Sequence, residues 1–520
     1  MTGGSVGRRI GVDVGGTNTD AVLLDGGRVA RAHKTATTED VLSGVVAALR
    51  AVAPGPGEPP VAAVMIGTTH FVNAVVQRRD LARVGALRLG LPASRSLPPF
   101  CDWPEDLAAV ARGAVEMVEG GFEYDGRPVM PLDERAVAAA ARRFRAEGLG
   151  CVAISGVFSP LDPAQERRAA EIVAAEHPDA SVTLSHDLGR IGLLERENVA
   201  LLNAALGPLA ARTVRAFEEA IAASGLSAPL YVTQNDGTVA RASLAARFPV
   251  LSFASGPTNS MRGAAYLTGV RDALVVDVGG TTADLGALRA GFPREANAVV
   301  EVGGVRTLFR MPDLLSIGLG GGSLVRGGAG GGGVEVGPLS VGFRLRERAL
   351  VFGGDATTAS DMAVRVGRLA LGDAARAAHL PAALAEAAMG EAARMLAEAA
   401  DRVKSDAAEV PLLAVGGGAF LVPDHLPGVS EVRRPEHAAV ANAVGAAIAQ
   451  VSGELDGVYQ GLSREVAMAE AERSARARAV ESGADPAGLE LVDVEDLPVA
   501  YLPGGAIRVR ARVVGPVAAA

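Results

Sequence analysis

Residues 12–20 read VDVGGTNTD and residues 276–284 read VDVGGTTAD, so seven of nine positions recur at a separation of 264 residues. Each copy follows an apolar run, Arg9 to Val14 and Ala273 to Val278, that reads as a buried strand. Each then turns through Gly-Gly-Thr into a second apolar run, so the repeat predicts two similar β-hairpins. The period is too long for a solenoid and suggests two related α/β domains facing each other.

Outward from the repeat, strand-like runs (Ala62 to Ile66, Cys151 to Ser155, Ser181 to Ser185, Leu230 to Thr233, Val250 to Phe253) alternate with helical stretches rich in Ala, Arg and Glu. Such alternation argues for mostly parallel or mixed sheets covered by helices. The helical stretches include Asp133 to Ala146, Pro163 to Glu176, Pro381 to Val403 and Leu193 to Ser224, the last expected to break near Gly207-Pro208. Ser463 to Ser482 reads as a further helix, and Asp496 to Gly515 as two strands joined by a Pro-Gly-Gly turn. The expected division is 1–195 and 196–450 for the two domains, with 451–520 a C-terminal helix and strand extension. Pro54 to Pro60 reads as an exposed connection. Gly318 to Gly333 holds ten glycines in sixteen residues and is either a flexible loop at a ligand site or a linker. Its GAGGGG, Gly328 to Gly333, matches G-x-G-x-x-G only formally, since it follows no clear strand and opens no helix.

Composition removes several classes of function. The chain has 520 residues, 49% hydrophobic and 21% charged, enough for two to four globular domains. A net charge of −9 with acids and bases interleaved leaves no basic stripe for nucleic acid. Neither lysine, Lys34 or Lys404, follows a glycine, which excludes a Walker phosphate loop. Two cysteines, Cys101 and Cys151, without paired spacing disfavour a disulfide scaffold or metal knuckle and suit a reducing cytoplasm. No run of 18 apolar residues suggests a membrane span, so a cytoplasmic protein is expected. The seven histidines show no metal-binding spacing.

The glycine turns carry the chemistry. A strand delivers Asp13 at its end, and Gly15 and Gly16 let a phosphate approach backbone N–H groups without a Cβ in the way. Thr17 and Asn18 add side-chain donors. A facing second copy would set Asp277 opposite Asp13, with Gly279, Gly280, Thr281 and Thr282 on the other side of the same polyphosphate. Two carboxylates there suit Mg²⁺ held through water and orientation of a nucleophile. A third element, LLAVGGGAF from Leu412 to Phe420, is a strand whose Gly416, Gly417 and Gly418 offer a flat surface for an adenine and ribose, opening a helix.

Strand-DxGGT, strand-DxGGTT and strand-GGG in this order resemble the nucleotide-contacting elements of the actin, Hsp70 and sugar-kinase superfamily, which implies two actin-like, ribonuclease-H-like α/β domains across an ATP cleft. IGTTHFVNAVVQRR (66–79), SHDLGRIGLLERENVALLNAAL (185–206), FASGPTNSMRGA (253–264), SIGLGGGS (316–323) and TTASDMAVRVGRL (357–369) are similar to the ATP-binding A subunit of the hydantoinase/oxoprolinase family. That resemblance covers nearly the whole chain. It departs after Gly337-Pro338, where longer members resemble GPxSAGAxPGPACYG and this chain reads GPLSVGFRLRERALVFGG, like a short subgroup.

The resemblance implies ATP-dependent opening of a cyclic amide such as a hydantoin, 5-oxoproline or a lactam. Asp13 and Asp277 would manage Mg²⁺ and in-line geometry, Thr17, Asn18, Thr281 and Thr282 the phosphates, and Gly416 to Gly418 the adenosine. It also implies a separate B-type subunit, and leaves a homo-oligomer open. His70, Asn73, His186 and Arg190, with Asp187, Glu195 and Arg196, could line the substrate cleft or serve the fold. Ser255-Gly256-Pro257 could hold an anion at a helix start, and Asp361 could cap one. The rival readings are an acetone-carboxylase-like or small-molecule kinase subunit, and a regulatory ATPase.

Overall fold

The computed structural model describes residues 7–15, 18–36, 41–188, 191–296, 300–308, 311–327, 333–499 and 505–518. Gly16, Thr17 and Arg190, much of the Gly328 to Gly333 run, and most of the Pro-Gly-Gly turn near residue 503 lie outside them.

Both copies of the repeat are hairpins, and in the same register. Arg9–Val14 pairs antiparallel with Asn18–Asp25, placing Asp13 across from Asp20. Ala273–Val278 pairs antiparallel with Ala283–Arg289, placing Asp277 across from Asp284. Each first strand also pairs in parallel on its other side, with Ala63–Thr68 in one sheet and Val410–Val415 in the other. Fully buried residues such as Ile10, Val12, Val276 and Leu413 explain these strands, since a sheet covered on both faces favours continuous apolar runs over alternation.

Among the described residues the first hairpin belongs to a nine-stranded sheet, ordered Glu490–Pro498, Ile507–Gly515, Val451–Tyr459, Val239–Arg241, Leu230–Thr233, Ala63–Thr68, Arg9–Val14, Asn18–Asp25, Arg28–Ala36. The C-terminal strands thus extend the sheet that the first residues begin. The second hairpin belongs to a six-stranded sheet that also holds Val410–Val415 and Val429–Arg433. Between Ala63–Thr68 and Leu230–Thr233 the chain inserts a four-stranded parallel sheet, ordered Arg112–Glu119, Val84–Leu91, Cys151–Gly156, Ser181–Leu184.

Two expectations fail for identifiable reasons. Leu193–Ala223 is one continuous helix with Pro208 inside it. Pro208 occupies an exposed position of the helix, so its ring meets solvent rather than the packed face, while Leu206 and Ala210 beside it are buried. Val250 to Phe253 is no strand: Pro249–Ser252 forms a 3₁₀ turn, begun by a proline and tied by Asn235 Nδ2 donating to Val250 O.

The two sheets are joined by two helices. Ser255–Thr268 carries the chain from the first sheet to the second, and Ala441–Ala447 carries it back. They cross at backbone contact: a Cβ on Gly263 would lie 1.9 Å from Ala441 O, and one on Gly445 would lie 1.8 Å from Asn259 O. Gly11 lets the returning helix lie on the first strand in the same way, with Ala443 O 2.0 Å from the Cβ position.

Candidate nucleotide site

The hairpin turns close alike. Gly15 N–H donates to Asn18 O at 3.0 Å, and Gly279 N–H donates to Thr282 O at 2.8 Å. Of the aspartates two residues before these glycines, Asp13 is buried and Asp277 half-buried at the strand end.

Asp13 Oδ2 and Asp20 Oδ2 each accept from Asn442 Nδ2 at 2.9 Å, and Lys34 pairs with Asp20 at 2.6 Å. Asp13 Oδ1 is buried without a hydrogen-bond partner among the described residues. Burial, then Asp20 and Asp277, push the Asp13 carboxyl up to about 7 against the pull of Asn442 and Lys34. Asp277 Oδ2 accepts from Ser260 Oγ at 2.5 Å. Burial pushes Asp277 up to about 6, with Ser260 and Lys34 opposing and Asp284 and Asp20 adding. Asp277 is among the charges that raise Asp13, and Asp20 and Lys34 act on both carboxyls; the helices that bring Asn442 and Ser260 to them cross at backbone contact.

Two glycine segments support the second turn. Gly321 N–H donates to Gly279 O at 3.0 Å and Gly322 N–H to Gly280 O at 2.7 Å. A Cβ on Gly320 would lie 2.5 Å from Thr281 N. The start of the glycine-rich run is thus neither linker nor free loop but a backbone layer packed on the turn. Gly416, at φ +86°, would place a Cβ 2.2 Å from Asp277 Oδ1, and Gly418 N–H donates to Val278 O at 2.7 Å. Gly417 and Gly280 have open space where a Cβ would be. Gly416 to Gly418 lead only into a single 3₁₀ turn, Ala419–Leu421, rather than the expected helix.

The remaining candidates separate. His70 and Asn73 lie on His70–Gln77, just past the strand that pairs with Asp13's strand; His70 Nδ1 bonds Thr68 Oγ1 and Asn73 Nδ2 donates to Thr69 Oγ1 at 3.2 Å. Burial lowers the His70 imidazole. Ser255 Oγ donates to Thr68 O at 3.1 Å, bringing the start of its helix to the same place. His186 lies instead with the inserted sheet, its Nδ1 2.6 Å from Glu166 Oε2, and Arg196 donates to Ser185 Oγ and Gly156 O in the same network. Asp361 closes a capping box with Thr358, and its Oδ1 accepts from Val351 N–H at 2.8 Å, a structural role in holding its helix start to the neighbouring turn.

Asp20, Lys34, Asn442 and Ser260 belong to the site without having been singled out. Asp20 had a signal, since it ends one repeat copy as Asp284 ends the other, and Lys34 is one of two lysines. Asn442 had none: it reaches Asp13 across 429 residues of chain.

The hydantoinase/oxoprolinase N-terminal region matches residues 9–177, and the hydantoinase/oxoprolinase model matches residues 196–409. The chain belongs to the hydantoinase/oxoprolinase family. The caprolactamase subunit alpha of Pseudomonas jessenii is 28% identical over 70% of this chain and 55% of its own length. The acetophenone carboxylase gamma subunit of Aromatoleum aromaticum is 27% identical over 69% of this chain and 53% of its own. The chain thus spans little more than half the length of these curated relatives. In structure, the ATP-dependent caprolactamase from Pseudomonas jessenii superposes with a TM-score of 0.77 at 21% identity, covering 98% of this chain and 87% of that one. Nucleotide-free acetone carboxylase gives 0.68 at 19% identity, covering 98% and 88%. These two likenesses establish the actin-like two-domain fold for this member of the family.

Proposed function

We propose that this chain is the ATP-binding subunit of a hydrolase that phosphorylates and opens a cyclic amide, working with a separate B-type subunit. One observation carries the reading: two hairpins in one register end in Asp13 and Asp277, and these are held by Asn442 and Ser260 on two helices that cross at backbone contact. Such an arrangement suits a polyphosphate gripped from both sides, with Gly15 and Gly279 closing the turns and N–H groups and side chains of Gly16 to Asn18 and Gly280 to Thr282 as donors. Gly416 to Gly418 would then meet the adenosine. The family and its caprolactamase relative favour a cyclic amide as acceptor.

A ring amide is a poor electrophile. Transfer of the γ-phosphoryl to its carbonyl oxygen makes the carbon attackable and couples an unfavourable opening to ATP cleavage. The cleft residues would align the amide oxygen in line with the bond that breaks and hold the phosphates still.

Asp13 and Asp277 fit Mg²⁺: Asp13 Oδ1 lacks a partner among the described residues, and both acids resist ionising without one. No group of three or more His, Cys, Asp or Glu among the described residues could hold a metal, so the ion's other ligands would be phosphate oxygens and water. When bound, it would neutralise charge on the polyphosphate.

The carboxylase relative supports a second reading, phosphorylation of a ketone oxygen ahead of carboxylation. ADP release measured with hydantoin, 5-oxoproline, caprolactam, or acetophenone plus bicarbonate, with and without the candidate B-type subunit, separates the two. Stimulation by a cyclic amide is expected. Stimulation only by ketone with bicarbonate replaces the first reading with the second, and ADP release indifferent to every substrate favours a regulatory ATPase.

A further inference from the structure

Arg344 stands three backbone hydrogen bonds from the second glycine turn. Gly322 N–H donates to Gly280 O at 2.7 Å, Val341 N–H to Gly322 O at 2.9 Å, and Arg344 N–H to Val341 O at 3.2 Å. A side chain doubles the first link, since Ser340 Oγ donates to Gly280 O at 3.2 Å and accepts from Gly342 N–H at 3.1 Å. Val341 is buried and anchors the stretch, and a Cβ on Gly342 would lie 3.8 Å from Thr281 Oγ1. Gly342–Arg344 is then a single 3₁₀ turn. This stretch meets the tip of the glycine turn, at Gly280 and Thr281, whereas the third glycine segment meets its base: a Cβ on Gly418 would lie 2.8 Å from Gly279 O, and one on Gly416 2.4 Å from Val278 O. A nucleotide laid with its adenosine on Gly416 to Gly418 and its phosphates along the turn ends beside Gly342.

Such a nucleotide meets carboxylates on both sides. Asp13 and Asp20 face each other on one hairpin, Asp277 and Asp284 on the other. Lys34 opposes Asp13 and Asp277 but is itself paired with Asp20 at 2.6 Å. A triphosphate adds further negative charge, of which one divalent ion offsets only part. Arg344 is an exposed cation at the end of the turn where that charge is greatest, and among the described residues its guanidinium has no acid or carbonyl partner. Its neighbour Phe343 is 72% exposed, so neither side chain is packed down. The Arg344 Cα is two residues from that of Gly342, at most about 7 Å away, a span that an arginine side chain can cover back toward Thr281. The planar fork of a guanidinium matches a pair of phosphate oxygens.

We infer that Arg344 closes onto the terminal phosphate of bound ATP and holds it during transfer. The inference rests on the nucleotide site of the proposed function. In transfer, the bond from the γ-phosphorus to the β–γ bridging oxygen breaks, a bond from that phosphorus to the acceptor oxygen forms, and ADP leaves with the bonding pair. Arg344 gives up no proton; it donates N–H bonds to the non-bridging oxygens, over which the charge is spread.

The test uses the full chain with Mg²⁺ and reads nucleotide binding by calorimetry, apart from turnover. Arg344→Gln should weaken a non-hydrolysable ATP analogue about 10-fold and leave ADP within about twofold, because ADP lacks the phosphate that Arg344 meets. Arg344→Lys should recover about threefold of that loss, keeping the charge without the fork. Arg346→Gln, equally exposed and two residues further on, should leave both nucleotides within about twofold. ADP release should fall about 100-fold in Arg344→Gln, with circular dichroism native because the side chain is exposed. Analogue affinity within about twofold of wild type in Arg344→Gln, an equal weakening of ADP, or the same loss in Arg346→Gln overturns the inference. The two readings fail separately. Wild type that opens a cyclic amide while Arg344→Gln keeps its analogue affinity loses the inference and keeps the proposed function; wild type that no cyclic amide stimulates, with the split between analogue and ADP intact in Arg344→Gln, does the reverse. Wild type that binds no nucleotide ends both.

Discussion

At the first hairpin, Asp13 takes its hydrogen bond from Asn442, on the helix that returns the chain from the second sheet. At the second, Asp277 takes its bond from Ser260, on the helix running the other way. Each aspartate is thus held by a helix that crosses between the sheets, and the two helices touch at Gly263 and Gly445. Beyond that shared device the regions differ. The first turn is managed by charge, with Lys34 and Asp20 beside the carboxylate; the second is managed by steric support, with Gly320 to Gly322 layered on it and Gly416 packed against its aspartate. One repeated motif can therefore be held by two unrelated means, and the two should fail in different ways under substitution.

The largest effect tests what the hairpins share. Asp13→Asn and Asp277→Asn should each cut ADP release by about 100-fold or more while circular dichroism stays native, because each removes a charge positioned for the reacting polyphosphate. Equal losses support one shared role. A loss in one and a rate near wild type in the other would end the idea of a two-sided grip.

The next effect tests the steric half. Gly320→Ala forces a methyl to within 2.5 Å of Thr281 N and 2.6 Å of Gly280 C, backbone atoms that have no rotamer to give, so urea unfolding should show a loss of about 2–3 kcal/mol or more. Gly280→Ala, facing open space, should cost about 1 kcal/mol or less. Equal losses would mean that the glycine layer does not support the turn.

The same contrast explains what could be read from sequence. The two hairpins and their glycine turns were legible because they are local: an apolar run, a turn and a second run fall within seventeen residues of chain in Arg9–Asp25. The long helix through Pro208 was misread because a helix with buried residues along its length is held by packing through a proline, and that packing is tertiary. Val250 to Phe253 looked like a strand by composition, yet Asn235 and Pro249 turn it. Asn442 and the packing of Gly320 to Gly322 were illegible because each matters only through a partner far along the chain, and Ser260 because its bond to Asp277 joins a helix to a strand with no pattern linking the two.

The smallest effect tests the charge half, through stability and pH. Asp13 is pushed up to about 7 and Asp277 to about 6, whereas an unfolded aspartate titrates near 3.8. Between those values the folded chain binds more protons than the unfolded one, so raising the pH destabilises it, progressively from about 4 to 7 and no further above. Asp13→Asn removes its share of that cost. The nucleotide-free variant should therefore match wild type near pH 4 and become more stable by about 1–3 kcal/mol at pH 8, where the wild-type carboxylate must ionise in its buried place. Lys34→Met should act in the opposite direction, since Lys34 lowers both carboxyls and its loss leaves Asp13, Asp20 and Asp277 without that cation. Thermal melts across pH 4 to 8 read both. A difference between Asp13→Asn and wild type that stays flat over this range would mean that Asp13 does not titrate there, and that charge does not set the two hairpins apart.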